Sequence, residues 1–512
     1  MSPERNQPPP ELVHVHHKPR SLDDTIEQYL GGFGSRQFLQ TILVSFAWFF
    51  DAQQTFIAVF TDKEPKWSCN NNSSFPCEKI TNVDLLCKLP RNSSSLSWDS
   101  PVHASIVSEW SLQCASPFIR GLPSSSFLLG CLVGGLVLAT LADSNMGRKN
   151  TLILSSLIMS VSGGLTAIST NIWMYAGFRF LSGFGRSTIG TSAFVLASEL
   201  VGKKWRGKIG IMGFSCFTLG FMSLPLVAFL LRWSSWRLIY FYTTCPCIFY
   251  SLLVCVFAYE SPRWLFIKGK REEFTKTITH LTRCRSSISP SVEWTEKVTE
   301  GNSSSSNTFS SALKMLVSKN WALKRLLVLM IVGFGNGMAY YGSPLGLDGL
   351  PFNLYVSVAL NALVELLAAW IMVFVIEKLK RKNWLVGLSL FSGVCGLVGI
   401  FARLNEIQIG LELVFFFSMC MAFDVFMIYV SELFPTCVRN SAVSMVRVAG
   451  LLGGFLGPML VAVGRRVNGL LCYAVFGLTL SLTVLFVVLV PETNGKTLCD
   501  TMEEEEEDEY AR

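Results

Sequence analysis

Ionisable residues inside otherwise apolar stretches of this chain include Asp51, Arg179, Glu365, Asp424 and Arg447, and their types limit the chemistry they could perform. A charged side chain is costly within a bilayer, so a residue retained there is a candidate for function. A carboxylate beside aromatic rings can hold an organic cation, because ring faces attract positive charge. An arginine can hold a carboxylate through paired hydrogen bonds. These residues predict a site for small charged organic molecules.

The stretches that carry these residues belong to a very apolar chain. Of the 512 residues, 50% are hydrophobic and only 15% are charged, whereas a soluble domain carries about 25% charged residues. This composition excludes a soluble globular enzyme, a disordered protein and a fibrous one, and it indicates a protein that crosses a bilayer many times. The net charge of +7 comes without a separate basic domain, so no nucleic-acid partner is expected.

Twelve apolar runs are each long enough for one membrane helix of about 20 residues. They are predicted at 38–60, 121–142, 151–170, 174–198, 209–231, 238–258, 323–343, 354–376, 384–402, 410–431, 441–463 and 468–490. The predicted fold is an all-α membrane protein with six helices in each of two bundles. Its parts are a polar N-terminal tail (1–36), a bundle (37–258) with a long loop (61–116), a linker with short amphipathic helices (259–320), a bundle (321–490) and an acidic tail (491–512). The acidic run at 503–509 is predicted to be solvated.

The long loop at 61–116 has the chemistry of an extracytosolic segment. It holds four cysteines that could form two disulfides in any of three connectivities, Cys69, Cys77, Cys87 and Cys114. It also holds glycosylation sequons at Asn71, Asn72 and Asn92. Disulfides and glycans form outside the cytosol, so the loop is predicted to lie there. A zinc site is the rival interpretation, but no Cys-x-x-Cys spacing or histidine cluster supports it.

Basic residues in short loops predict the orientation independently. They follow the second, fourth and eighth runs, for example Arg148 and Lys149 after the second. These loops lie on one side of the membrane, which is therefore predicted to be cytosolic and to hold both termini. The long loop then lies outside, in agreement with its cysteines and sequons.

An internal repeat underlies the two groups of six runs. Arg148-Lys149-Asn150 recurs as Arg381-Lys382-Asn383, and Glu199 with Arg206 recurs as Glu432 with Arg439, both at an offset of 233 residues. Many secondary transporters are built from two copies of a six-helix unit, with the substrate site at the midplane between them. Four glycines of the eleventh run are predicted to allow close helix packing: Gly450, Gly453, Gly454 and Gly457.

Several motifs resemble known transporter signatures. Asp143-Ser-Asn-Met-Gly147-Arg148-Lys149 resembles the major facilitator signature, although it is one residue longer and lacks the first arginine. Glu260-Ser-Pro-Arg263-Trp-Leu and Pro491-Glu492-Thr-Asn-Gly-Lys-Thr-Leu resemble motifs of sugar porters and organic ion transporters. Tyr340-Tyr341-Gly, Glu432-Leu-Phe-Pro-Thr-x-x-Arg439 and the cysteine-bearing loop resemble the organic cation/carnitine transporter family, and the spacing of the first motif resembles its plant branch.

The resemblance implies alternating access controlled by charge networks on the cytosolic side. An acidic residue at a helix end, opposite a basic cluster, can form a latch that breaks when the halves rock. The alternative is that these charges only set topology. The predicted gating residues are Asp143, Arg148, Lys149, Glu199, Arg206, Glu260, Arg263, Glu432, Arg439 and Glu492.

The resemblance also suggests a substrate class. Cation carriers of the family tend to place an acid in the eleventh span, whereas anion and carnitine carriers place an arginine there, so Arg447 favours a zwitterion such as carnitine. Arg447 would hold its carboxylate, while Asp424 or Glu365 with Tyr340 and Tyr341 would hold its trimethylammonium group. The alternatives are a buried structural ion pair of Arg447 with Asp424 or Glu365, and an interfacial aromatic role for the tyrosines. Glu365-Leu-Leu-Ala resembles the family's Glu-x-Pro-Ala without its proline.

Transport of a net-neutral zwitterion requires a driving ion, because the membrane potential alone does not concentrate it. A proton or sodium ion is expected, with Asp51, Glu365 and Asp424 as proton candidates. Asp51 could instead lie at an aqueous mouth, and Arg179 could be structural. The plant-branch resemblance favours the vacuolar membrane, with the plasma membrane as the alternative.

Other classes of protein have weaker support. Gly202-Lys-Lys-Trp-Arg-Gly207-Lys208-Ile nearly matches a nucleotide-binding P-loop, but it ends in isoleucine and sits in a predicted loop without a preceding strand. With no nucleophile–base set and no metal cluster visible, neither enzyme activity nor a cofactor is expected. Arg447 keeps an organic anion transporter open. A receptor of the same fold that transports nothing is the remaining alternative, although a tail of only about 22 residues offers little for signalling.

Overall fold

The computed structural model describes residues 33–64, 67–69, 96–98, 100–143, 146–281, 309–375, 378, 380–467, 469–493, 499 and 501–510. The predicted sequons at Asn71, Asn72 and Asn92, together with Cys77 and Cys87, lie outside these residues. So do the side chains of Cys69 and Asp143, whose backbones are described.

Six spans, numbered 1 to 6, make up the first half of the chain. Their helices are α1 (Ser35–Ser45), α2 (Ala47–Phe56) and α3 (Ala58–Thr61) in span 1, α5 (Pro117–Asp143) in span 2, α6 (Gly147–Thr166) in span 3, α7 (Ile172–Arg186) and α8 (Ile189–Glu199) in span 4, α9 (Lys203–Leu230) in span 5 and α10 (Trp236–Phe257) in span 6. Between spans 1 and 2 lie a two-stranded antiparallel ribbon and a one-turn helix: β1 (Trp67–Cys69), β2 (Leu96–Trp98) and α4 (Ile106–Glu109). Cys114, after this helix, is disulfide-bonded.

Six further spans, numbered 7 to 12, make up the second half. They are α14 (Asn320–Gly346), α15 (Leu354–Val375), α16 (Arg381–Phe401), α17 (Asn405–Glu432), α18 (Thr436–Val467) and α19 (Leu471–Leu485), the last followed by a 3-10 turn (Phe486–Leu489). The linker between the halves contains α11 (Pro262–Ile267), α12 (Arg271–Leu281) and α13 (Phe309–Ser318), and the chain closes with α20 (Met502–Tyr510).

Ten segments of the described chain are long and apolar enough to cross a membrane. Span 3, which is rich in serine, and span 4, which is broken at Ser187 and Thr188, complete the twelve. We call the end that carries the linker the linker end, and the end that carries β1, β2 and α4 the loop end. The predicted all-α fold of two six-helix bundles is confirmed.

Close helix packing repeats between the halves. A Cβ added at Gly220 of span 5 would lie 2.1 Å from the Phe49 carbonyl oxygen of span 1, and one added at Gly453 of span 11 would lie 1.9 Å from the Phe334 carbonyl oxygen of span 7. These two glycines are separated by the same 233 residues as the charged motifs. Glycine is therefore needed at equivalent helix crossings, where the backbones approach too closely for any side chain.

Two predictions about local structure were wrong. Residues 203–208 belong to the first turns of α9 rather than to a loop, because the helix continues past the apolar run into its basic end. The near-match Gly202, Gly207 and Lys208 therefore has the backbone of a helix start and cannot wrap a phosphate as a P-loop does.

The acidic run at 503–509, predicted to be solvated, instead forms α20 against the second half. Glu505 pairs with Arg325 at 2.7 Å, and Glu506 pairs with Lys319 at 2.6 Å. Met502 at its start is only 4% exposed. A charge run is solvated only where no basic surface faces it, and here the start of span 7 supplies one.

Candidate substrate site and charge networks

The repeated basic motifs at the linker end form matching ion pairs. Arg148, at the start of span 3, lies 4.0 Å from Glu199 at the end of span 4. Arg381, at the start of span 9, lies 3.3 Å from Glu432 at the end of span 10. Each glutamate thus pairs with the arginine of the Arg-Lys-Asn motif in its own half. It does not pair with the arginine that follows it by seven residues in sequence.

A second carboxylate completes each network by binding the start of a helix. Glu260 Oε1 accepts hydrogen bonds from the backbone N–H groups of Arg148 at 3.0 Å and Lys149 at 3.1 Å. Glu492 Oε2 accepts one from the N–H of Lys382 at 3.2 Å. Free N–H groups at a helix start carry partial positive charge, so a carboxylate is stabilised there. Burial nevertheless raises the pKa of Glu260 despite these hydrogen bonds.

The remaining predicted gating residues have other surroundings. Arg439 Nε donates to the Phe434 carbonyl oxygen at 3.3 Å, and Arg206 has a buried Nε with no hydrogen-bond partner. Arg263 lies in α11, whose N-cap is Ser261. The structure therefore brings six of the predicted residues into two paired networks: Arg148, Lys149, Glu199 and Glu260 in the first half, and Glu432 and Glu492 in the second.

Hydrogen bonds join the two halves at the loop end. The N–H of Glu64, just after span 1, donates to Asp348 Oδ2 at 2.6 Å, and Lys63 Nζ donates to the Tyr355 hydroxyl at 3.3 Å. Asp348 also pairs with Arg465 of span 11 at 3.6 Å. This seam closes the loop end of the interface between the halves.

Asp51 of span 1 is 3% exposed, so it does not lie at an aqueous mouth. Its carboxylate forms a short hydrogen-bonded ion pair with Arg186, at the end of α7. Arg186 was not predicted from the sequence. The sequence did contain evidence for this residue, because Arg186 follows Arg179 by seven residues and therefore lies on the same face of the helix.

An acidic and aromatic group lies between spans 7, 8 and 10. The Tyr340 hydroxyl donates to Glu365 Oε1 at 2.7 Å, and the Tyr340 ring stacks on Phe423 with centroids 5.5 Å apart. Asp424, next to Phe423, is close enough to Glu365 for their charges to repel. Two carboxyl groups and two rings thus share one location, which is a chemical environment suited to an organic cation.

Tyr340 faces the interface between the halves. Its ring makes an edge contact with Phe56 of span 1, with centroids 6.1 Å apart. This contact and the bond to Glu365 argue against the alternative of an interfacial aromatic belt, which would place the ring at the lipid headgroups. Tyr341 lies on the neighbouring face, with the Arg186 guanidinium 5.9 Å from its ring centroid.

Arg447 faces the same interface from span 11. Its Nη2 donates to the Ser187 carbonyl oxygen at 3.2 Å, at the break in span 4, and its side chain stays exposed. The alternative of an ion pair with Asp424 or Glu365 is not what the structure shows. The break in span 4 leaves the Ser187 carbonyl oxygen available to accept this hydrogen bond, which positions Arg447.

Arg179 is buried in the first half. It is 1% exposed, its Nη1 donates to the Gln54 carbonyl oxygen at 3.0 Å, and its guanidinium lies 4.2 Å from the Phe127 ring centroid. Its Nε and Nη2 are buried without hydrogen-bond partners, as is Gln54 Oε1. Among the described residues, no group of three or more histidine, cysteine or acidic side chains could hold a metal ion.

The arrangement of two six-helix bundles, with repeated charge networks at one end and a charged, aromatic group between them, is that of a major facilitator transporter. Residues 70–504 match the family model described as "Sugar (and other) transporter". The xylose transporter XylE from E. coli, in a partially occluded inward-open conformation, has a similar fold with a TM-score of 0.62 and 17% identity, over 91% of this chain and 100% of that one.

Proteins of similar sequence show to which family of transporters the chain belongs. The chain is 52% identical to Organic cation/carnitine transporter 2 from Arabidopsis thaliana, over 95% of this chain and 94% of that one. It is 51% identical to Organic cation/carnitine transporter 3 from the same organism, over 99% of this chain and 95% of that one. Organic cation/carnitine transporter 2 from Homo sapiens is 29% identical over 85% of this chain and 78% of that one. The chain belongs to the organic cation/carnitine transporter family, and these relatives are transporters rather than enzymes.

Proposed function

We propose that this protein carries small organic cations or zwitterions across a membrane by alternating access, with carnitine as the leading substrate. The observations that carry the proposal are an acidic and aromatic group and a separate arginine, both of which contact the first half of the chain: Tyr340 contacts Phe56, and Arg447 contacts Ser187. Tyr340, Glu365, Phe423 and Asp424 form the cation pole on spans 7, 8 and 10. Arg447, held by the Ser187 carbonyl oxygen, forms the anion pole on span 11.

A trimethylammonium group cannot donate a hydrogen bond, so ring faces and diffuse negative charge are its natural partners. A carboxylate is bound best by a guanidinium that offers two donors, and Arg447 keeps an exposed side chain toward the interface. The names of the Arabidopsis relatives, which include both organic cation and carnitine, support the same chemical class.

In this proposal the linker end is cytosolic, since the basic motifs lie there, and the membrane is that of the vacuole. The loop-end seam of Glu64, Asp348 and Tyr355 closes one end of the interface between the halves. The networks around Glu260 and Glu492 would lock and release the other end as the halves rock. A coupled ion provides the driving force for a zwitterion.

The test is competitive uptake into vesicles that contain the purified chain. Labelled carnitine, tetraethylammonium and a dicarboxylate are compared for wild type, Arg447→Ala and Asp424→Asn, with exposed Arg403→Ala and Glu406→Gln as matched controls. We expect Arg447→Ala to lose uptake of carnitine but keep uptake of tetraethylammonium. Asp424→Asn should reduce the uptake of both compounds.

Two results would contradict the proposed function and favour another one. Uptake of the dicarboxylate alone would make this an organic anion transporter, which the presence of Arg447 keeps as the second candidate function. No movement of any compound, under any imposed gradient, would favour a receptor of the same fold.

A further inference from the structure

Glu412 of span 10 is a buried carboxyl group that the proposed substrate poles do not use. It lies inside the second bundle and is only 4% exposed. Its neighbour across the helix interface is Asn361 of span 8, which is fully buried. Asn361 Nδ2 donates to Glu412 Oε1 at 3.0 Å.

The pair has two oxygen atoms left over. Glu412 Oε2 and Asn361 Oδ1 are both buried, and neither has a hydrogen-bond partner. Leaving a buried acceptor unpaired is energetically costly, so two on one pair are unusual. A single proton on Glu412 Oε2 would give that oxygen a donor for Asn361 Oδ1. The result would be a reciprocal acid–amide pair, in which each group donates once and accepts once.

The charged groups around Glu412 offer it no ion pair. Span 12 presents Cys472 and Tyr473. Both side chains lie close enough to Glu412, and to Arg465 of span 11, to interact electrostatically with them. Arg465 pairs with Asp348 at 3.6 Å and donates to the Leu345 carbonyl oxygen at 2.7 Å, while its Nε is buried without a hydrogen-bond partner. Span 10 itself adds Cys420, and span 9 packs on this helix through Ser392, whose hydroxyl donates to the Phe415 carbonyl oxygen. Among the described residues, no basic atom lies within ion-pair distance of Glu412, so a charge there would be uncompensated.

Asn361 links this pair to the substrate site. It precedes Glu365 by four residues, so both lie on one face of span 8. Asn361 binds span 10 through Glu412, and Glu365 binds span 7 through the Tyr340 hydroxyl. Span 8 therefore carries both hydrogen bonds, and it connects Glu412 to the cation pole.

We propose that Glu412 is the site that binds the coupling proton, and that Asn361 transmits its protonation to Glu365 along span 8. The proton comes from water on one side of the membrane, occupies Glu412 Oε2 while the acid–amide pair holds spans 8 and 10 together, and leaves to water on the other side. This inference rests on the proposed transport function, but it assigns the driving ion to a residue outside the substrate poles.

The experiment uses wild type, Glu412→Gln and the matched control Glu406→Gln, an exposed glutamate at the start of the same helix. Vesicles are loaded with unlabelled carnitine, and exchange with labelled carnitine is measured without any gradient. Accumulation is then measured with an imposed pH gradient, where one coupled proton supports about tenfold accumulation per pH unit. We expect wild type and Glu406→Gln to show both activities. Glu412→Gln mimics the protonated form, so it should exchange within about twofold of wild type but lose the accumulation.

The outcomes separate the two proposals. If wild type does not exchange carnitine, the proposed substrate is wrong. If wild type exchanges but ignores the pH gradient, responds to a sodium gradient instead, or keeps its accumulation in Glu412→Gln, the assignment of Glu412 is overturned.

A direct measurement covers the case in which Glu412→Gln does not fold. The infrared carbonyl band of a protonated carboxyl group should be present in wild type at neutral pH and shift in Asn361→Ala, which removes the amide partner but keeps the acid. An unchanged band in Asn361→Ala would contradict the acid–amide pair.

Discussion

Glu260 and Glu492 hold equivalent positions in the two halves of the chain. Each follows the last span of its half, and each carboxylate accepts at least one hydrogen bond from the backbone at the start of the third span of that half. The side chains of Lys149 and Lys382 reinforce the likeness, since each donates to a backbone carbonyl oxygen at the end of the same last span. The internal repeat is therefore structural, and it preserves a contact between helices rather than a motif alone.

The Glu260 network depends on a residue without a side chain. Gly147 has a φ of +82°, and a Cβ there would lie 2.4 Å from Glu260 Oε2. Gly147→Ala should destabilise the protein by about 1–2 kcal/mol from the backbone conformation alone, and it should also push Glu260 from the helix start. The measurement is thermal unfolding in detergent, with carnitine exchange as a second readout. Gly135→Ala, where nothing lies within 4 Å of the added Cβ, is the control and should unfold like wild type.

The buried pair of Asp51 and Arg186 should behave as a unit. Asp51→Asn or Arg186→Gln leaves one uncompensated buried charge, and either should cost about 3–5 kcal/mol of stability. The double variant removes both charges, so it should recover much of this loss. A double-mutant cycle of unfolding free energies measures the coupling. Additive single effects would show that the pair contributes nothing.

The ring and the hydroxyl of Tyr340 should contribute separately to cation binding. Tyr340→Ala removes a ring stacked on Phe423 and should weaken tetraethylammonium binding about 2- to 30-fold, as expected for 0.5–2 kcal/mol of cation–π attraction. Tyr340→Phe keeps the ring and loses only the hydrogen bond to Glu365. Competition of tetraethylammonium with labelled substrate gives both affinities. Equal affinity in Tyr340→Ala and wild type would remove Tyr340 from the cation pole.

The docked acidic helix can be released by one charge reversal. Glu505→Lys places a cation beside Arg325, whereas Glu507→Lys changes an exposed residue by the same charge. We expect faster proteolysis and faster amide exchange of residues 501–510 in Glu505→Lys, because like charges at the contact repel. Glu507→Lys should resemble wild type. Identical protection in both variants would show that the pair of Glu505 and Arg325 does not hold the helix.

Glu109 near the loop end should give a pH-dependent stability. Its carboxylate accepts hydrogen bonds from Trp236 Nε1 and Arg237 Nη1, both at 2.7 Å. Burial alone would raise the pKa of Glu109, but these two donors outweigh it and lower the pKa below its ordinary value. A lowered pKa means that the stabilisation is present above the unfolded-state pKa of about 4.3 and is lost as pH falls through the lower folded-state value.

Unfolding temperatures at several pH values test this sign. Glu109→Gln should unfold below wild type at pH 7, and the difference should shrink as the pH falls below about 4. Glu406→Gln, at an exposed position, should show no such change. A difference that is independent of pH would mean that the hydrogen bonds, and not the charge, stabilise this contact.

The sequence by itself determined the class of protein and much of its architecture. Apolar runs of membrane length, the basic loops and the 233-residue repeat all follow from local composition and spacing, which do not depend on the rest of the fold. Tyr340, Glu365 and Asp424 could be proposed as a group because an ionisable residue in an apolar run is conspicuous without a structure.

Only the tertiary structure decided which charged residues pair with one another. It paired Glu199 with Arg148 rather than Arg206, gave Asp51 the unpredicted Arg186, and docked Glu505 on Arg325. Each partner is distant in sequence, and helix packing alone sets which faces meet. Glu412 shows the same limit, because its place near the start of a span hides it among ordinary loop charges. Its burial against Asn361 exists only once spans 8 and 10 pack together.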